Sequence, residues 1–250
     1  MRLCRLDDYQ SWLVEVQGRR IAIDPWLTDE FSLPPGHWLF GRRRSAPSSG
    51  PAALAGVDAL VLTAHFSDHL HPATLEALPR GVPVVATSMA ATLVRRLGFT
   101  NVRAMRGGET AQLLPGVDVE AIAPAFPYSH NSLGYLLHAN GVRLYLETHT
   151  IHADHAAKAR GADCLITPVQ SVRLLGMPLV MSPERALAMV EQLQPKRVVP
   201  TGNDPDGAHG LLQSLALFTR GSVEAFGTAL GQRGLPTTFH AMRAGDALEL

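Results

Sequence analysis

The chain has 250 residues, of which 46% are apolar and 18% charged. That is enough apolar material for a sizeable core, and too little charge for a disordered chain. Lys+Arg and Asp+Glu balance at 22 each, so no global field exists to collect nucleic acid or anionic lipid.

Trp12–Val16 and Arg20–Asp24 flank a Gln17-Gly18 turn and read as a hairpin, which Pro25 ends. From Pro34 to Gly56 the chain is rich in Pro, Gly and Ser. This is a long loop, expected to cover a pocket, with its Arg42, Arg43 and Arg44 run read as a solvated stretch. Val57–Thr63 is an apolar strand of the kind buried on both faces, followed by a short helix over 72–78. Val82–Ala86 is the next strand, and Ser88 caps a helix that runs to Leu97 and stops at Gly98. Val117–Pro124 reads as a strand. Leu133–Ala139 and Val142–Leu146 form a hairpin around Asn140-Gly141, the strongest turn signal in the chain. A helix over 152–160, a strand over 163–167, and a helix opened by Ser182 and Pro183 follow. Arg197–Thr201 is a strand, helix fills 208–232, and Thr237–Met242 with Ala247–Leu250 reads as a closing hairpin.

Hairpins at both ends with alternating strands and helices between them fit an α+β chain. Two mixed sheets packed face to face, with helices outside, accommodate both patterns. Leu60, Val61, Leu62, Ile21, Ile23, Leu144 and Leu146 are the expected core. No linker divides the chain, so residues 1–250 are expected to be one domain.

Cys4 and Cys164 are too few for a disulfide framework or a Cys-rich zinc site. Arg2, Arg5, Asp7 and Asp8 occupy the stretch where a signal peptide needs apolar residues, and no apolar run reaches membrane-spanning length. A cytoplasmic location and no membrane or nucleic-acid partner are expected.

Histidine is the unusual residue. Six of eleven fall in the windows 65–71 and 149–155. The first window, His65-Phe66-Ser67-Asp68-His69-Leu70-His71, follows a buried strand, where α/β folds place sites. The second, Glu147-Thr148-His149-Thr150-Ile151-His152-Ala153-Asp154-His155, also follows an apolar strand. Neutral imidazole and carboxylate suit zinc or a similar ion. The structural alternatives are that Asp68 merely caps a helix, and that His152 and His155 share an exposed helix face. His130 is a further participant. His37, His138, His209 and His240 are read as surface or structural residues.

Ile21-Ala22-Ile23-Asp24-Pro25-Trp26-Leu27 resembles the early strand of metallo-β-lactamase-fold hydrolases similar to L-ascorbate-6-phosphate lactonase. Asp58–Thr63 followed by Asp68-His69 resembles the strand and second half of that family's H-x-H-x-D-H motif. Gly134–Leu137, Val142–Leu146 and the ending Arg243–Leu250 also match the family in order. The resemblance implies an αββα four-layer sandwich. It places ligand histidines at positions 64 and 66, where this chain has Ala64 and Phe66, with His65 one residue out of register. The bridging Asp falls near His149, and the last His near Gly202 or Asn203.

What remains of the implied ligand set is Asp68, His69 and His149, with His71 or Asn203 as additional donors. Asp68, His130 and His71 are the catalytic candidates. The cofactor this implies is one zinc ion, with manganese or iron as alternatives. Two readings follow: a hydrolase of a small ester, lactone or phosphoester that uses one metal-activated water, or a catalytically degenerate relative that binds a small molecule or a partner. Asp68, His69 and His149 are expected to converge, and His65 to point away.

Overall fold

In a computed structural model of the protein, every residue is described except 34, 45–46, 129–130, 203–206 and 216. The strands of the first half are β1 (Arg2–Arg5), β2 (Trp12–Val16), β3 (Arg19–Ile23), β4 (Glu30–Ser32), β5 (Gly41–Arg43), β6 (Ala59–Leu62), β7 (Val84–Thr87), β8 (Val102–Met105), β9 (Thr110–Leu114) and β10 (Val117–Ile122). Those of the second half are β11 (Gly134–Ala139), β12 (Val142–Leu146), β13 (Cys164–Pro168), β14 (Ser171–Leu174), β15 (Met177–Val180), β16 (Arg197–Thr201), β17 (Ala208–His209), β18 (Leu217–Arg220), β19 (Thr238–Phe239) and β20 (Ala247–Glu249). The helices are α1 (Pro72–Leu75), α2 (Ser88–Arg96), α3 (Ala153–Ala156), α4 (Pro183–Leu193), α5 (Leu211–Leu215) and α6 (Val223–Gln232).

Two seven-stranded mixed sheets, β20-β1-β2-β3-β6-β7-β8 and β19-β16-β13-β12-β11-β10-β9, face each other. One apolar cluster joins them and contains Ile21, Ile23, Val61, Leu144 and Leu146. Alternate residues of the same strands, Leu60 and Leu62 among them, face outward into a second cluster with Leu75, Ala90 and Val94. A third cluster packs Leu165 and Val198 under α4 and α6. These three apolar layers define four layers of structure, αββα, and all seven expected core residues are fully buried. Strands buried on both faces cannot alternate in polarity, which is why β6 reads as a continuous apolar run.

Local chemistry places most elements. Gln17, Gly18, Asn140 and Gly141 all have positive φ, as two-residue hairpin turns require. The Ser182 side chain accepts the Arg185 amide, and Pro183 starts α4. The cap of α2 is Thr87 rather than Ser88, its hydroxyl accepting the Ala90 amide. The expected closing hairpin does not form. Phe239 lies beside Val198 in the second sheet, whereas β20 pairs with β1 in the first. The expected helical stretch 208–232 contains β17 and β18 between and before its helices.

Two three-stranded sheets, β15-β14-β18 and β17-β5-β4, lie outside the sandwich. The first contains a hairpin with Leu175 and Gly176 at positive φ, and the central strand of the second, β5, comes from the long loop. Among the described residues, no helix is long and apolar enough to cross a membrane.

Candidate active site

The site lies where strands of both large sheets end. β3 and β6 run parallel, as do β12, β13 and β16. Leu133 donates its amide to the Thr63 carbonyl at 2.8 Å, and Ala64 bridges Ser132, so the two sheets are tied at this edge. Parallel strands ending together leave a crevice that side chains from several loops can enter.

Asp24, at positive φ and fully buried, ends β3. Its carboxylate accepts the Thr63 amide at 2.8 Å, the Thr63 hydroxyl, and His69 Nδ1 at 2.8 Å. A carboxylate only accepts, so Nδ1 carries the proton, and Nε2 is the free edge of the His69 ring. Nε2 faces Asp68 Oδ2 at 3.8 Å. Tyr9 donates its hydroxyl to the same Asp68 oxygen at 2.9 Å, and Gln10 donates to the Asp68 carbonyl at 3.0 Å.

His149 stacks on His69, with ring centroids 4.9 Å apart and planes 27° apart. Its Nδ1 lies 3.1 Å from the hydroxyls of both Ser132 and Thr148. Tyr128 covers its other side at 4.1 Å. Glu147 is fully buried behind this layer and accepts the His149 amide at 3.0 Å through Oε1, while Oε2 has no partner. Gly134 is required here, because a Cβ would come within 2.8 Å of that oxygen.

The electrostatics follow from burial. Burial disfavours a charged His69, but Asp68 and Asp24 outweigh it and hold its pKa above the ordinary histidine value. Burial, aided by His69, pushes His149 well below that value. Burial lifts Glu147 to about 8, against the backbone N–H groups of His149, Thr150 and Thr148. Burial and then Asp68 raise Tyr9, so it stays a donor at neutral pH.

A cavity of about 410 Å³ opens onto this set, and Tyr9, Phe66, Asp68, His69, Tyr128, Thr148 and His149 are among its lining. Its outer walls come from the two small sheets, through Phe31 and Arg42 on one side and Val172, Leu174, Met177 and Leu179 on the other. Phe40 and Arg42 belong to the long loop, which therefore covers the pocket as expected. The Arg42–Arg44 run is not solvated as a unit. Arg42 is buried against the Tyr9 ring at 4.6 Å, and Arg44 makes a buried ion pair with Asp7 at 2.9 Å. Only Arg43 is exposed, beside Glu30. On the far wall Gly202 donates its amide to the Tyr9 carbonyl at 2.6 Å, and a Cβ there would lie 1.7 Å from the Asp8 carbonyl oxygen.

Asp68, His69 and His149 thus share one cavity. Among the described residues, however, no group of three or more His, Cys, Asp or Glu is placed to hold an ion. Ala64 is fully buried at the Ser132 bridge. The Phe66 ring packs 6.0 Å from His149, 6.2 Å from His69 and 5.9 Å from Tyr128. An apolar ring and a methyl group fill the positions where the resemblance expects imidazoles. His65 does not line the cavity, and its buried Nδ1 has no partner. His152 and His155 stack on each other at 3.9 Å, apart from His149. His130 and Asn203 lie outside the described residues.

His71 is not among the residues lining this cavity; it is the N-cap of α1, its Nδ1 accepting the Thr74 amide at 3.3 Å. Pro72 begins the helix behind it, so the ring is turned to the helix end rather than to the crevice. Burial and then Arg44 lower its pKa, and only the neutral ring can accept that bond at Nδ1. With a folded pKa below the unfolded one, the cap's contribution is present above the unfolded pKa of roughly 6.5 and is lost as pH falls through the folded value. His71→Asn, which caps without titrating, should flatten the acid limb of stability, whereas His71→Ala should cost about 1 kcal/mol at pH 8. Urea titrations from pH 4 to 8 check both.

Asp24, Thr63, Tyr9, Tyr128 and Ser132 were not read as site residues from sequence. For Asp24 a signal existed, an acid closing an apolar strand just before Pro25. The others are hydroxyl groups without a local pattern.

Residues 6–202 match the family model described as a beta-lactamase superfamily domain. A relative from Caldivirga maquilingensis, named a UPF0173 metal-dependent hydrolase, is 26% identical over 229 residues, covering 85% of this chain and 92% of its own. Among solved structures, Igni18, described as a metallo hydrolase from Ignicoccus hospitalis, is 19% identical with a TM-score of 0.70 and covers 100% of this chain and 98% of its own. The isothiocyanate hydrolase from Delia radicum gut bacteria is 17% identical with a TM-score of 0.72, covering 100% and 99%. At those identities the two structures establish the fold alone. The family match spans most of the sandwich and every described residue around His69 and His149, and by it the chain belongs to the beta-lactamase superfamily.

Proposed function

We propose that the chain is a cytoplasmic, single-domain hydrolase of a small ester, lactone or phosphoester, with its chemistry at Asp68, His69 and His149. The observation that carries this reading is the Asp24–His69–Asp68 line at the closed end of the cavity. Buried carboxylates and imidazoles destabilise a core unless paired, and packing alone gives no reason to line up buried Asp24 and His69 with the half-buried Asp68 beside an opening. Perturbed groups in a cleft are the usual mark of a reactive site. The name of the Caldivirga relative supports hydrolysis.

Family membership implies a metal, and zinc is the ion that His and Asp donors suit best. The described residues do not fit a complete ion site, since no three ligands come together. No step is therefore assigned to an ion. Asp24 fixes the His69 tautomer, and Nε2 is placed to hold or move a proton at the oxygen of a water or leaving group. Tyr9 orients Asp68, and His149 closes the site against Tyr128.

The second reading is a catalytically degenerate relative that keeps the pocket for binding. Ala64 and Phe66 favour it. The test is metal analysis of freshly purified protein, together with a panel of esters, lactones and phosphoesters assayed with and without chelator. Hydrolysis that His69→Ala abolishes and His65→Ala spares supports the hydrolase. No turnover of any member, with the cavity still binding ligand, supports the degenerate relative. One zinc per chain, lost in His69→Ala, would restore the one-metal version of the mechanism.

A further inference from the structure

The cavity is polar at its closed end and largely apolar on the way out. At the inner end Phe66 and Tyr128 flank the stacked His69 and His149 rings. Outward, β14 and β15 supply a continuous aliphatic wall through Leu174 and Met177. Met177 is 43% exposed, so this wall reaches solvent. A volume of about 410 Å³ lies within the range of roughly 300–1,000 Å³ that small-molecule sites occupy.

The charges discriminate among the three candidate substrate classes. Arg42 is the one Arg or Lys among the described lining residues, and its guanidinium is stacked over Tyr9 at 4.6 Å. A carboxylate oxygen of Asp68 lies 3.8 Å from His69 Nε2. A phosphate brought to His69 would meet that like charge at close range in an apolar enclosure, where repulsion is strong. An uncharged carbonyl meets no such barrier.

We propose that the substrate is an uncharged ester or lactone with a long apolar chain, its carbonyl at His69 and its chain along the β14–β15 wall. This rests on the hydrolase reading for the identity of the reacting group and on the cavity alone for the chain. Each fully buried methylene multiplies affinity by about fourfold, so chain length is the sensitive variable.

The test uses non-hydrolysable amides as uncharged ester analogues, with wild-type protein and isothermal titration calorimetry. N-Octylacetamide should bind at least about 30-fold more tightly than N-ethylacetamide. Octyl phosphate should bind about tenfold more weakly than N-octylacetamide. Met177→Glu, at a half-exposed position whose replacement spares the core, should remove most of the chain-length gain. Equal affinity for the two amides, tightest binding of octyl phosphate, or an unchanged gain in Met177→Glu would each overturn the proposal. Tight binding of N-octylacetamide with no turnover of matching esters removes the hydrolase reading and leaves this one standing. Turnover of short and long esters alike, without a chain-length gain in binding, does the reverse.

Discussion

Replacing Arg44 with Ala should lower stability by about 3–5 kcal/mol, a large share of a typical domain's total of roughly 5–15 kcal/mol. The Arg44 side chain is 3% exposed and Asp7 is fully enclosed. Their atoms meet at 2.9 Å, the Arg44 Nε donates to the Thr28 carbonyl at 2.8 Å, and the guanidinium lies over Trp26 at 3.9 Å. Asp7 also accepts the amides of Tyr9 and Ser11 and the Ser11 hydroxyl. Removing Arg44 leaves a buried carboxylate with hydrogen bonds but no countercharge, which is costlier than never having had the pair. Burial already holds Asp7 above the ordinary carboxylate range, with Arg44 opposing that shift. Without Arg44 the native pKa rises further, so the variant's deficit should grow as pH rises through it and shrink in acid. Adding Asp7→Asn to Arg44→Ala should recover part of the loss, because the unpaired charge is gone. Urea melts of the two variants at pH 5 and pH 8 give the comparison. If the double variant is no more stable than Arg44→Ala, packing on Trp26 rather than charge is the main term. The same turn carries Tyr9 to Asp68, so the single variant should also disturb the site.

The readable parts of this fold were those whose cause is local. Gln17-Gly18 and Asn140-Gly141 need positive φ at both positions, and few other sequences supply it. Ser182-Pro183 carries its own cap and start signal. Leu60 and Ile21 announce burial because a strand covered on both faces admits little polarity. What was missed depends on partners remote in sequence. Thr238–Phe239 and Ala247–Glu249 look like the two arms of a hairpin, yet each joins a different sheet whose edge lies elsewhere in the chain. The hairpin β14–β15 sits outside the main core, and its exposed Leu175 and Met177 break the alternation that marks a strand. At the site, one histidine of each His cluster, His69 and His149, lines the same cavity. His71, two residues from His69, looks in sequence like a second ligand, and its Nδ1 caps the helix that starts at Pro72. Asp24 is 45 residues from His69 in sequence and 2.8 Å away in space. An acid at a strand end cannot reveal which remote ring it holds.

That contact supports the largest expected effect on activity. Asp24→Asn should reduce kcat for the best ester or lactone by about 10²–10⁴-fold, the usual contribution of a positioned proton-transfer group. The carboxylate does two things that an amide cannot. It accepts from His69 Nδ1 and the Thr63 hydroxyl through one oxygen while taking the Thr63 amide on the other. After Asp68, it also supplies negative charge beside a ring whose charged form burial disfavours. In the Asn variant the side-chain NH₂ can face Nδ1, which would then have to accept, moving the ring proton to Nε2 and removing the free edge from the cavity. Both changes act on His69 and Thr63 rather than on the apolar wall of the cavity, so KM for an apolar substrate should move little while kcat falls. The folded state should also gain or lose little from charge, since one buried carboxylate disappears together with the partial charge it induced. His65→Ala is the matched control, a nearby imidazole that does not line the cavity. Steady-state kinetics across pH 5–9 for both variants decide the matter. A fall in kcat of less than about threefold in Asp24→Asn, with wild-type stability retained, would mean that His69 handles no proton in the rate-limiting step. The carboxylate would then be part of the scaffold that ties β3 to β6, and the reactive group would have to be sought at Asp68 or His149.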